Sequence, residues 1–186
     1  MTEKQEPNVL IISKACLLWV EMLSNPKFDA LGGHGDRDDP NGSVFLSQGM
    51  AAVLAEKNKP TAEALSKFAE ELKKYLINKT TYIPETQKIV LDSEGCYRTS
   101  LSVDYHPDFT LGQAAENAGV STDSFPWKTS MYLMGDHLSL SYGYGGETLR
   151  YYPIDGQWLI TTLCGSDISK VFEYIRGGSP VFDIQT

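Results

Sequence analysis

Apolar positions in the first eighty residues recur at helical spacing, and from Thr80 onward they alternate. After a short strand expected at Val9 to Ile12, Ser13 is placed to cap a helix running to about Ser24. Its apolar positions Ala15, Cys16, Leu17, Leu18, Trp19, Val20, Met22 and Leu23 leave only a narrow polar strip, so this helix must be covered on most sides. A second helix is expected from after Ser43 to about Lys57, with Leu46, Met50, Val53 and Leu54 on one face. Thr61, following Pro60, caps a third, in which Leu65, Phe68, Ala69, Leu72 and Leu76 form an i, i+3, i+4, i+7, i+11 stripe. Glu63 with Lys67 and Glu70 with Lys74 support its solvated face at i, i+4.

The segment "YRTSLSVDY" sets Tyr97, Thr99, Leu101, Val103 and Tyr105 against Arg98, Ser100, Ser102 and Asp104, the alternation of a half-buried strand. Four more strands are expected at about 127–134, 137–143, 147–153 and 157–163, joined by "GD", "YGGE" and "IDGQ", whose Gly and Asp suit tight hairpins. A last helix is expected at 166–176, with Ser166 as cap, Ile168, Val171, Phe172 and Ile175 inward, and Gly177 as the stop. The resulting fold class is α+β: an N-terminal layer of about three helices packed with a C-terminal antiparallel meander of about five strands, one inserted short helix at about 110–119, and a C-terminal helix. Residues 1–80 form the mainly helical part and 81–186 the sheet, read as a change of class within one compact unit.

The stretch "TLGQAAENAGVS", Thr110 to Ser121, resembles the start of the helix-turn-helix in repressors of the lactose-repressor type. Thr110 and Leu111 open the helix, Ala115 and Glu116 lie within it, and Ala118, Gly119, Val120 and Ser121 form the turn. The resemblance implies a DNA-reading helix over the residues that follow, within 110–131. Pro126 stands in the middle of that segment, where a helix interior would lose about 3 kcal/mol. Lys128 is its one cation between Tyr105 and Gly135. The same letters also describe a plain helix capped by Thr110, with Leu111, Ala114, Ala115 and Ala118 as a small apolar face, Gly119 as the stop and Val120 as the hydrophobic contact beyond it.

Charge sharpens the picture. Residues 1–80 hold ten Lys and Arg against eleven Asp and Glu, whereas residues 81–186 hold six against thirteen, within a total of −8. An acidic half of that kind repels nucleic-acid phosphate and favours a basic partner. Cys16, Cys96 and Cys164 are widely spaced and lack a CxxC pair, so they read as reduced thiols rather than a disulfide framework or zinc site. The longest apolar run, Val9 to Leu23, is interrupted by Lys14 and Glu21 and is too short to span a bilayer. Together with the absence of a cationic leader in "MTEKQEP", these features point to a soluble cytoplasmic protein without membrane association.

Among candidate chemistries, Asp36, Asp38 and Asp39 in "LGGHGDRDDPNG" are weak metal ligands, because aligning Gly42 with the turn glycine of a calcium loop leaves Gln48 where a bidentate Glu belongs. His34, His106 and His137 each have an acidic neighbour, and Asp104, His106 and Asp108 together suit metal-assisted hydrolysis. No G-x-S-x-G, Walker A or G-x-G-x-x-G motif is present, and no cofactor is implied. The most suggestive surface is aromatic: Trp127, Tyr132, Tyr142, Tyr144 and Tyr152 fall on one predicted meander, with Tyr151 and Trp158 beside them. The leading expectation is therefore a non-enzymatic binding module, such as a small acidic inhibitor or immunity-like protein acting on a basic protein. The alternatives are a metal-assisted hydrolase using Asp104, His106 and Asp108, and a DNA-binding protein through 110–131.

Overall fold

Helix α1 (Pro7–Ser24) begins on its proline, whose fixed φ suits the first helical position and whose missing N–H costs nothing there. The strand expected at Val9 to Ile12 and the cap expected at Ser13 are thus corrected: the helix runs through both. The β-branched Val9, Ile11 and Ile12 favour a strand locally, but Ile11, Ala15, Leu18 and Met22, and Ile12, Cys16, Trp19 and Leu23, continue two adjacent helical stripes, and all eight are buried. The computed structural model describes residues 7–25, 50, 53–83, 88–93, 96–98, 100–141, 148–164, 167–176 and 179–182. Residues 53–57 are helical, in keeping with the second expected helix.

Helix α2 (Ala62–Lys79) is capped as its sequence demands, the Thr61 hydroxyl accepting from Ala64 N at 3.2 Å. Leu65, Phe68, Leu72 and Leu76 of its stripe are buried against α1. On its exposed face Lys74 lies 4.0 Å from Glu71, one residue from the expected Glu70.

Strands follow at once. A three-stranded antiparallel sheet is formed by β1 (Thr80–Ile83), β2 (Lys88–Ser93) and β3 (Cys96–Arg98) in that order. A seven-stranded antiparallel sheet contains β4 (Ser100–Val103), β5 (Thr129–Leu133), β6 (Leu138–Ser141), β7 (Thr148–Ile154), β8 (Gln157–Cys164), β9 (Asp167–Arg176) and β10 (Ser179–Phe182), each beside its neighbour in sequence. The expected five-strand meander is present as β4 to β8. Its first strand is shorter than "YRTSLSVDY" suggested, because Cys96–Arg98 belongs to the smaller sheet and Tyr105 lies beyond β4 in the turn before Pro107.

The helix expected at 166–176 is corrected to strand β9. Ile168, Val171, Phe172, Tyr174 and Ile175 are strong strand formers that fit either period, and β8 supplies an edge with which Asp167–Arg176 pairs from Cys164↔Asp167 to Gln157↔Tyr174. Two residues separate Cys164 from Asp167 and two separate Arg176 from Ser179. In sequence they read Gly-Ser and Gly-Gly, dipeptides that suit a short hairpin connection as well as a helix cap and stop; Ser166 and Gly177 lie outside the described residues.

Between β4 and β5 the chain forms helix α3 (Phe109–Ala118), followed by a 3-10 turn over Thr122–Ser124. The expected small apolar face is borne out, with Leu111, Ala114, Ala115 and Ala118 all buried. Gly119 ends the helix at φ 72°, its N–H bonding Glu116 O at 3.2 Å while Val120 N–H bonds Ala115 O at 2.9 Å, the paired bonds of a Schellman motif. Substituting Gly119 by Ala should lower stability by about 1 kcal/mol through the left-handed backbone alone, since a Cβ there meets nothing within 4 Å; urea unfolding measures it.

One buried cluster joins these elements. Trp19 of α1 and Phe68 of α2 both meet Phe125, with ring centroids 6.0 and 5.8 Å away, and the cluster continues through Leu101, Met131, Leu138 and Leu140 to Tyr151 and Trp158. The inward sheet face is set by alternation: Leu101 and Val103 on β4, Thr129, Met131 and Leu133 on β5, Leu138 and Leu140 on β6.

Candidate functional site

The residues pointing the other way form the surface that the aromatic reading singled out. On β5, Tyr132 is 45% exposed between the buried Met131 and Leu133. Register then ranks side chains across the sheet: Ser100 opposite Tyr132, Tyr132 opposite Ser139, Ser139 opposite Arg150, Arg150 opposite Thr161. Arg150 is exposed, and two residues further along β7 Tyr152 is partly exposed on the same face. His137, in the loop before β6, stacks on Tyr152 with ring centroids 4.9 Å apart and 25° between planes, and its Nδ1 lies 2.7 Å from Asp136 Oδ1. A second rank sets Ser102, Ser130, Ser141 and Thr148 opposite one another. The face is thus small hydroxyls interrupted by two tyrosines, an arginine and a stacked imidazole.

The other aromatic candidates divide. Trp127 precedes β5, half-buried against the core, with Tyr105 edge-on to it at 5.3 Å. Tyr105 is 47% exposed, and the Lys128 ammonium sits 4.0 Å over its ring while pairing with Asp104. The Asp104 carboxylate pushes the Lys128 ammonium up from its ordinary value. Lys128 holds φ 55°. Tyr151 and Trp158 face inward, where the Lys14 ammonium lies over both rings at 5.2 and 5.6 Å. Tyr142, Tyr144, His34, Asp36, Asp38 and Asp39 lie outside the described residues.

Asp104, His106 and Asp108 have separate positions and roles. Asp108, rather than Thr110, is the cap of α3: its Oδ1 accepts from Leu111 N at 3.0 Å and its Oδ2 from Ser102 N at 2.6 Å. Asp104 pairs with Lys128, and His106 is exposed. Among the described residues, no three His, Cys, Asp or Glu side chains are gathered as metal ligands. The helix required for DNA reading over Phe125 to Met131 is replaced by the start of β5, and Pro126 is buried ahead of it.

Sequence reasoning missed Arg150, which isolated inspection of β7 does not mark, and a groove of about 490 Å³ along α3, walled in part by Pro107, Phe109, Gly112, Gln113, Glu116 and Val120. Its signal lay in the positions left over by the Ala stripe: Phe109, Gly112, Gln113 and Glu116 recur at i, i+3, i+4 and i+7.

Cys16 is buried, and desolvation pushes its thiol up to about 12. The thiol of the unfolded chain ionises near 9.0, so the stabilising preference for a neutral thiol is complete below pH 9 and lost as pH rises towards 12. Unfolding free energy should fall across that window, and Cys16→Ala should flatten this part of the profile; equal slopes for both proteins would exclude Cys16 as the cause.

No helix among the described residues is long and apolar enough to cross a membrane. Compared with protein families, curated proteins and solved structures, the chain shows no match.

Proposed function

We propose that the protein is a non-enzymatic binding module, of the kind that small acidic inhibitors and immunity-like proteins represent, acting on a basic protein partner in the cytoplasm. The observation that carries this reading is the exposure of Tyr132 on the sheet face turned away from the buried core, in one rank with Arg150 across Ser139 and on the same face as Tyr152. Tyrosine gives large amphipathic contact area with few rotatable bonds, which is why it anchors interfaces. A rigid antiparallel sheet holds these anchors at set spacings, so little ordering entropy is lost on docking. The net charge of −8 steers a basic partner towards the surface. Cys16 as a buried thiol and the absence of a CxxC pair in the sequence support a reducing compartment.

Affinity capture from the native cell extract, with wild type and a Tyr132→Ala/Tyr152→Ala variant, tests the reading. A basic protein should be retained at low salt, be released as salt rises, and bind the double variant at least tenfold more weakly. A partner that is acidic, or one held equally by the double variant, overturns it.

A further inference from the structure

The geometry points to the groove along α3 as the seat for an arginine side chain of the basic protein partner, an inference that rests on the binding-module reading. Three observations converge on that chemistry. The groove's apolar lining is Pro107, Phe109 and Val120, whereas its charged described residues other than the imidazole of His106 are the carboxylates Asp108 and Glu116; no Lys or Arg is among the described residues that line it. Both Asp108 oxygens already accept backbone N–H groups, which leaves Glu116 as the carboxylate to meet a cation, and Gln113 Nε2 orients it by donating to Oε2 at 3.1 Å. Gly112 stands between Phe109 and Glu116, and a Cβ there would meet nothing within 4 Å.

That glycine is informative because the backbone does not require it. Glycine weakens a helix interior relative to alanine, and there is room for a side chain, so its effect here is to keep the groove open. Phe109 and Glu116 are seven residues apart, about 10 Å along the helix axis. The methylenes of an arginine can cross Gly112 between them, its planar guanidinium stacking on the Phe109 ring or forking onto Glu116. Phe109 is 50% exposed and steadied edge-on by Tyr75, at 6.5 Å between centroids. A lysine places a compact, strongly hydrated charge in the same space and gains less from the ring and the carboxylate.

The test is an amide-resolved NMR titration of the full ¹⁵N-labelled chain with hexa-arginine, hexa-lysine and hexa-citrulline peptides. Hexa-arginine should shift amides concentrated in 109–116, hexa-lysine should bind at least fivefold more weakly, and hexa-citrulline should leave the spectrum unchanged. Gly112→Leu, which fills the groove, and Glu116→Gln, which removes its charge, should each weaken hexa-arginine at least fivefold, with Gly112→Leu melting no lower than wild type. Shifts scattered over all acidic surfaces, shifts centred on Tyr132 and Tyr152, or unchanged binding by both variants overturn the groove. The Tyr132→Ala/Tyr152→Ala variant should bind hexa-arginine as wild type does. Hexa-arginine failing while partner capture survives removes the groove alone; capture surviving in the tyrosine variant but lost in Gly112→Leu removes the sheet-face reading alone.

Discussion

Replacing Phe125 by Ala should destabilise the protein by about 3–5 kcal/mol, the largest single effect expected here. The residue sits outside any regular element, yet it is 1% exposed and touches the rings of both Trp19 and Phe68. Truncation removes a whole ring from a site where α1, α2 and the approach to β5 meet, and three separate elements cannot all collapse into the space it leaves. For a chain of this size the melting temperature should drop by roughly 6–20 °C. Phe125→Leu, which keeps most of the volume, should recover more than half of the loss. A shift below about 2 °C for the alanine variant would mean that the three rings do not share a core.

Asp108→Ala should cost about 2 kcal/mol, because one carboxylate serves two backbone donors. Loss of a helix cap accounts for about 1 kcal/mol, and the Ser102 N–H left without its acceptor accounts for a similar amount in this half-buried position. Asp108→Asn should restore roughly half, since asparagine caps as well as aspartate but offers a single acceptor oxygen. Denaturant melts of the three proteins give the comparison. Equal stability of the Ala and Asn variants would show that the carboxylate has a purpose other than holding α3 against β4.

The two substitutions also mark where the sequence was readable. Thr61 as a cap, the α2 stripe, the Ala-rich face of α3 and its Gly119 stop were all legible, because each depends on short-range chemistry that leaves a local imprint. The hairpin "IDGQ" belongs with them: Asp155 and Gly156 both hold positive φ, as a two-residue turn between β7 and β8 requires. Where local preference was ambiguous, distant partners decided. Val9 to Ile12 became helix because that conformation carries Ile11 and Ile12 into the core that α1 shares with α2, and Asp167–Arg176 became strand because β8 offered an edge.

Much the same division applies to the candidate site. Tyr132 and Tyr152 were legible only as members of an aromatic meander that also included Tyr151; the strand register puts the first two on the outer face and turns Tyr151 inward. Tyr105 was drawn into the strand because the alternation was followed past Val103, although the "HPD" directly after it was signal enough for a turn. The acidic and histidine residues read as catalytic candidates illustrate a different limit. Asp108 has the chemistry of a general base in isolation, but the backbone groups that claim it are six and three residues away, and only the folded chain shows them.

Asp108 has one more consequence. Ser102 sits on the strand with which the large sheet begins, and its N–H and C=O both point away from β5 to bond Asp108 Oδ2 and Asp108 N, at 2.6 and 2.8 Å. A strand from another molecule arriving at that border would have to displace an internal carboxylate before forming its first rungs, so the loop that holds α3 in place also stops the sheet from growing into neighbouring chains on this side.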